Sequence, residues 1–132
     1  MKKKTAKDVV INLFRDVLES PVVDVSVIDK YIAPSYVQNV DGVVLDYDGF
    51  IEHMEKQKQV VASLSVEFLA IAEDGDTVFT NHIVTANKKD GSTIQVKVIA
   101  QFTVQNNRLT NCDELTRLLS GNHEDRDIGS RH

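Results

Sequence analysis

The stretch SLSVEFLAIAEDGDTVFTNHIVTANKKDGSTIQVKVIAQFTVQNNRLTNCDELTRL, residues Ser63 to Leu118, decides the fold. Its apolar residues recur at every second position, the period of a strand with one buried face. Turn signals interrupt the alternation at EDGD, KKDGS and QNNR. The reading is four antiparallel strands joined by three hairpins. In the third strand Ile94, Val96, Val98, Ala100, Phe102 and Val104 form the core face, and Thr93, Gln95, Lys97 and Gln101 lie on the other. One dry face and one wet face is the pattern of an antiparallel sheet packed on one side.

Upstream the period changes. In TAKDVVINLFRDVLESP, Val9, Val10, Leu13, Phe14, Val17 and Leu18 fall three and four apart and make one helical stripe. Thr5 and Asp8 are spaced as a capping box, and Pro21 marks the end. A second helix follows in DVSVIDKYIAP, with Ser26 as its expected cap and Pro34 as its stop. A third is expected from about Asp48, with Phe50, His53, Met54, Gln57 and Val61 on its inner stripe. Helices followed by a meander imply an α+β fold with the helices laid on one face of a curved sheet.

The chain has 132 residues, enough for one domain with a single apolar core. Residues 1–119 are read as that domain and 120–132 as a charged tail. The net charge of −5 argues against nucleic acid as a partner, and the run KKK at residues 2–4 reads as a solvated helix start. A single cysteine, Cys112, allows no internal disulfide. No HxH, HxxxH or HExxH spacing supports a metal site, and no glycine-rich loop supports a nucleotide. The basic N-terminus precedes no long apolar run, so neither a signal peptide nor a membrane span is expected, and a cytoplasmic location is the default.

One motif stands apart from both periods: YVQNVDG, Tyr36 to Gly42, which sets a tyrosine and two side-chain amides before a turn. Together with DGFIEH, DGDTVFTNHIV and NNRLTNCDELTRL, it makes the chain resemble the nuclear transport factor 2-like superfamily, and within it the SnoaL-like branch, over about residues 5–119. The resemblance implies a cone: a strongly bent antiparallel sheet of about four long strands, with room for short ones, wrapped around three N-terminal helices. It also implies a pocket at the open end and a homodimer through the sheet. Superfolds of this kind host unlike functions, so function has to be argued from the pocket.

Carried over residue by residue, the resemblance matches Tyr36 and Gln38 on the rim and places Asn39 where the family often has a histidine, an exchange that removes an acid–base group. It places Glu114 on the family's acidic position of the last strand. Alternation puts Thr110, Cys112 and Glu114 on one face and Asn111, Asp113 and Leu115 on the other, so one of the two acids faces the cone. His82, mid-strand in TNHIV, shares a face with Val78, Thr80 and Val84 and is expected to act with Glu114, or else to bond a neighbouring hydroxyl such as Thr80. Tyr31, Phe50 and His53 are expected to line the cone with Tyr36, Gln38 and Asn39. The expected function is binding of a small, partly apolar molecule, with cofactor-free proton transfer (isomerisation, cyclisation or dehydration) as the chemistry. Glu114 and His82 would be the catalytic pair. The alternative is a non-catalytic carrier or a protein-docking module.

Overall fold

The computed structural model describes residues 4–121. The rest of the expected tail, residues 122–132, lies outside them. The elements run in the order α1 (Ala6–Leu13), a π-helical turn (Phe14–Leu18), α2 (Val25–Tyr31), β1 (Ile32–Val40), β2 (Val43–Asp46), α3 (Tyr47–Val60), β3 (Val61–Asp74), β4 (Thr77–Lys88), β5 (Thr93–Gln105) and β6 (Arg108–Ser120). The expected α+β cone is present: three helices sit against a curved, unclosed sheet. Among the described residues no helix is long and apolar enough to cross a membrane.

The sheet has six strands in the order β2-β1-β6-β5-β4-β3. Four of them are the meander expected from Ser63 onward. The other two correct the sequence reading, because Ile32–Val40 is a strand rather than a helix end and a loop. β1 pairs antiparallel with β2 and parallel with β6, so the sheet is mixed. Pro34 does not stop α2, which ends at Tyr31. It sits inside β1, where the β1–β6 pairing shifts between Ile32 and Val37, because proline has no N–H to give a ladder. The third helix therefore lies between strands rather than in an N-terminal group of three.

Local chemistry explains the helix ends. Thr5 and Asp8 form the expected box: Asp8 N–H donates to Thr5 Oγ1 at 3.1 Å and Thr5 N–H to Asp8 Oδ2 at 3.2 Å. Asp24, not Ser26, caps α2 by accepting the Ser26 N–H at 3.0 Å. Asp46 caps α3 through the Gly49 N–H at 2.8 Å. A β-carbon at Gly49 would lie 3.2 Å from Leu45, so the capped turn favours glycine there.

The helices bury Val9, Val10, Leu13, Phe14, Val17, Ile28 and Met54 in one apolar cluster with the inward residues of the sheet, among them Val78, Val98, Phe102 and Leu109. Alternation along β6 is broken near its start, and the β5–β6 register shifts again near its end, where Leu119 is the extra residue. At the first shift Leu109 and Cys112 both face the core, and Thr110 is the extra residue. That bulge puts Cys112 and Glu114 on the same inner wall as Leu109.

Candidate functional site

Between the helices and the concave face lies a cavity of about 100 Å³. Its walls are mostly aliphatic and aromatic. Its polar groups are few: Tyr36 and Gln38 on β1, Cys112, Glu114 and Thr116 on β6, His82 on β4, and His53 and Gln57 on α3. Among the described residues no lysine or arginine lines it. The partly exposed members Leu64, Val66, Val84 and Thr116 mark the side nearest solvent.

β1 and β6 supply one polar wall. Their parallel register sets Gln38 beside Cys112 and Val40 beside Glu114. Tyr36 O–H donates to Gln38 Oε1 at 2.9 Å, which fixes the amide and turns its NH₂ group away from the tyrosine. Cys112 S–H donates to Glu114 Oε1 at 3.2 Å. Burial pushes the Glu114 carboxyl up to about 7, helped by the charges of Asp41 and Asp113 and opposed by the Cys112 hydrogen bond. The residue keeps some accessible surface because it borders the cavity. Burial also raises the Tyr36 phenol and the Cys112 thiol well above their ordinary values, so both stay protonated and act as donors.

His82 faces the same cavity from β4. It is 1% exposed, with Phe14 and Phe68 edge-on to its ring at centroid distances of 4.9 and 5.6 Å. Burial lowers its pKa to about 4, so the ring is neutral near pH 7. Its Nδ1 is 2.8 Å from Thr80 Oγ1.

Of the residues expected to form the site, Tyr36, Gln38, Phe50, His53, His82 and Glu114 line this cavity, and Glu114 rather than Asp113 is the inward acid. Two do not. Asn39 is exposed on the opposite face of β1 and accepts the Gly42 N–H at 2.9 Å, because alternation along a strand turns it away from Gln38. Tyr31 sits at the end of α2 and donates its hydroxyl to Asp16 of the π-helical turn. His82 and Glu114, expected to act together, form no hydrogen bond with each other, and His82 takes the alternative partner Thr80. β5 stands between their strands, and each polar group has the nearer partner just described. Gln57, Cys112 and Thr116 complete the polar lining. Gln57 was legible from the α3 stripe, and the other two from alternation around Glu114.

Among the described residues no group of three His, Cys, Asp or Glu side chains is placed to hold a metal ion.

The cone, its inward acid and its apolar cavity define a class: small α+β domains that enclose a ligand-sized space against a bent sheet. Within that class the chain belongs to the SnoaL-like domain family, whose model matches residues 14–112. It is 34% identical over 107 residues to the uncharacterized protein C11D3.04c of Schizosaccharomyces pombe, covering 81% of this chain and 82% of that one. Among solved structures it is similar to a SnoaL-like polyketide cyclase of Agrobacterium tumefaciens, with a TM-score of 0.72 at 10% identity over 87% of this chain and 93% of that one. It is also similar to an LEH-like epoxide hydrolase of M. tuberculosis, with a TM-score of 0.71 at 18% identity over 85% of this chain and 82% of that one. Identities this low establish the shared fold alone.

Proposed function

We propose that the protein binds a small, uncharged, largely apolar molecule in this cavity and moves a proton on it without a cofactor. One observation carries the reading: a carboxyl poised at about 7 sits in an apolar cavity that, among the described residues, is lined by no lysine or arginine. A general acid–base group works best when its pKa is near the operating pH. The same absence of lysine and arginine leaves an anionic ligand without a counter-charge, which favours a neutral one. The volume suits the reacting end of a small molecule rather than a large ring system.

In this reading the Glu114 carboxylate accepts a proton from carbon beside a carbonyl. The electron pair moves onto the carbonyl oxygen, which the Gln38 amide NH₂ stabilises. Protonated Glu114 then returns the proton to a different carbon, completing an isomerisation with no net change in atoms or electrons. Cyclisation or dehydration begins with the same removal. The neutral His82 serves as a second hydrogen-bonding group on the facing wall. The polyketide cyclase and epoxide hydrolase named among the similar structures fit this kind of chemistry.

A thermal-shift screen tests the reading. Small ketones, enones and epoxides would be compared with the matching carboxylic acids, on wild type and Glu114→Gln. Neutral compounds should raise the melting temperature, carboxylates should not, and Glu114→Gln should keep binding while abolishing hydrogen–deuterium exchange at the ligand's acidic carbon. Binding with no such exchange in the wild type would instead favour a carrier. The present support for that rival is that Glu114 and His82 are not coupled.

We further propose a homodimer through the outer face of the sheet. Ile99 and Leu115 are paired across β5 and β6 and are 51% and 69% exposed. With Phe79, 48% exposed on β4, they make an apolar strip. The next row toward one side pairs Lys97 with Arg117, and the next toward the other pairs Gln101 with Asp113. A two-fold axis along the Ile99–Leu115 row would set Arg117 of one copy against Asp113 of the other.

A further inference from the structure

The β1–β2 turn makes contacts that neither the cavity lining nor the proposed chemistry uses. Asp41 and Gly42 have φ values of 54° and 87°, the left-handed pair of a two-residue hairpin. Just before the turn Val40 lies opposite Glu114 in the parallel ladder. The Asp41 N–H donates to the Glu114 carbonyl at 3.0 Å, which is the next rung. A regular parallel ladder would continue with the Asp41 carbonyl accepting the Thr116 N–H. The left-handed backbone turns the chain away at that point, and the side chain takes over. Asp41 Oδ1 accepts the Thr116 N–H at 2.8 Å, and Oδ2 accepts the Thr116 hydroxyl.

One residue thus holds β6 on both sides of Leu115, through its own amide on Glu114 and through its carboxylate on Thr116. Both gripped residues line the cavity. We infer that Asp41 is a positioning residue for Glu114, locking the Glu114–Thr116 segment to the end of β1 and so fixing where the acid stands on the cavity wall. The catalytic part of this assignment rests on the proton-transfer reading of Glu114. The Asp41 carboxylate also adds negative charge near Glu114. The other ionisable groups facing that acid are Cys112 and its neighbour Asp113 on β6 and Tyr36 on β1, with His53 on α3 and His82 on β4 across the cavity. Any substitution at Asp41 therefore acts against a background in which Asp113 also raises the Glu114 value and Cys112 lowers it.

The test uses the full chain with glutamate labelled at the side-chain carboxyl carbon, titrated by NMR, with Glu114→Gln to assign the signal. Thr116 amide exchange is followed in the same samples. Asp41→Asn keeps a side-chain oxygen but drops the charge. It should lower the Glu114 midpoint by roughly half a pH unit while Thr116 stays protected. Asp41→Ala should lower the midpoint and speed Thr116 exchange by about tenfold or more. Asp113→Asn should lower the midpoint and leave Thr116 exchange alone. If the Ala variant leaves Thr116 exchange at the wild-type rate, or if neither Asp41 variant moves the midpoint, the positioning role is overturned. A wild-type Glu114 that titrates like an ordinary glutamate defeats the proton-transfer reading instead, and a Thr116 exchange loss confined to Asp41→Ala would still establish the clamp. Should the Ala variant fail to fold, Asp41→Gly, which suits the left-handed backbone at this position and also removes the carboxylate, carries the comparison and should speed Thr116 exchange in the same way.

Discussion

At the scale of single residues two of the ionisable groups lining the cavity have values that move in opposite directions. Glu114 rises from 4.5 to about 7 and His82 falls from 6.5 to about 4, each chiefly through burial. Both shifts favour the neutral form, and each has a stability consequence of known sign. The unfolded chain releases the Glu114 proton at lower pH than the native state does, so native stability falls as pH rises from about 4.5 to about 7 and stays reduced above that. Glu114→Gln removes this loss. We expect the variant to match wild type near pH 4 and to exceed it by about 3 kcal/mol near pH 8, read from urea melts at the two values. Equal differences at both would show that Glu114 is not desolvated. For His82 the unfolded state gains its proton first as pH falls, so wild type should lose stability between about 6.5 and about 4. His82→Gln should lower stability overall, by lost ring packing, yet show a flatter acid limb. An unchanged slope would mean that His82 is already solvated in the native protein.

At the scale of elements, what was legible in the sequence was what hydropathy marks. β3 to β6 and the stripes of α1 and α3 announce themselves by period, and so does the inward placement of His82; alternation showed only that one of Asp113 and Glu114 faces inward, and the family resemblance chose Glu114. β1 was hidden because its pattern is inverted. The polar Gln38 points into the core and the apolar Val37 points out, 38% exposed, so alternation carries no strand signal. Its parallel partner β6 is some seventy residues away, and only four residues of β2 follow the turn. Reading that segment as a rim loop therefore turned Asn39 inward and left Asp41 without a role. The separation of His82 from Glu114 was within reach, because the order of the hairpins already set β5 between their strands. Another contact invisible to periodicity joins α3 to the π-helical turn. Lys58 Nζ donates to the Leu18 carbonyl at 2.9 Å and also to the Ser20 carbonyl, groups that a helix end leaves without intrahelical partners. Burial lowers its pKa, yet the ammonium is the form that supplies the donors. Lys58→Met keeps most of the apolar stem and removes the charge, and should cost about 1–3 kcal/mol. A thermal melt within a degree or so of wild type would mean that water satisfies those carbonyls instead.

At the scale of the whole molecule the two faces of the sheet differ in character. The concave face is spent on the core and cavity, and the convex face carries the Ile99–Leu115 strip between a basic row and an acidic one. Apolar area drives association, while the flanking charges select orientation. The two-fold arrangement makes a demand that a non-specific hydrophobic contact does not: residue 117 must meet residue 113 of the second copy. Leu115→Glu should convert a dimer to a monomer in sedimentation equilibrium. Arg117→Asp should weaken association by about tenfold or more, because it sets like charges against each other at two symmetry-related places. Combining Arg117→Asp with Asp113→Arg restores opposite charges at both places and should recover the wild-type constant. If the double variant is as weak as the single, the copies do not meet in this register. If wild type sediments as a monomer at tens of micromolar, the convex face is not used for self-association.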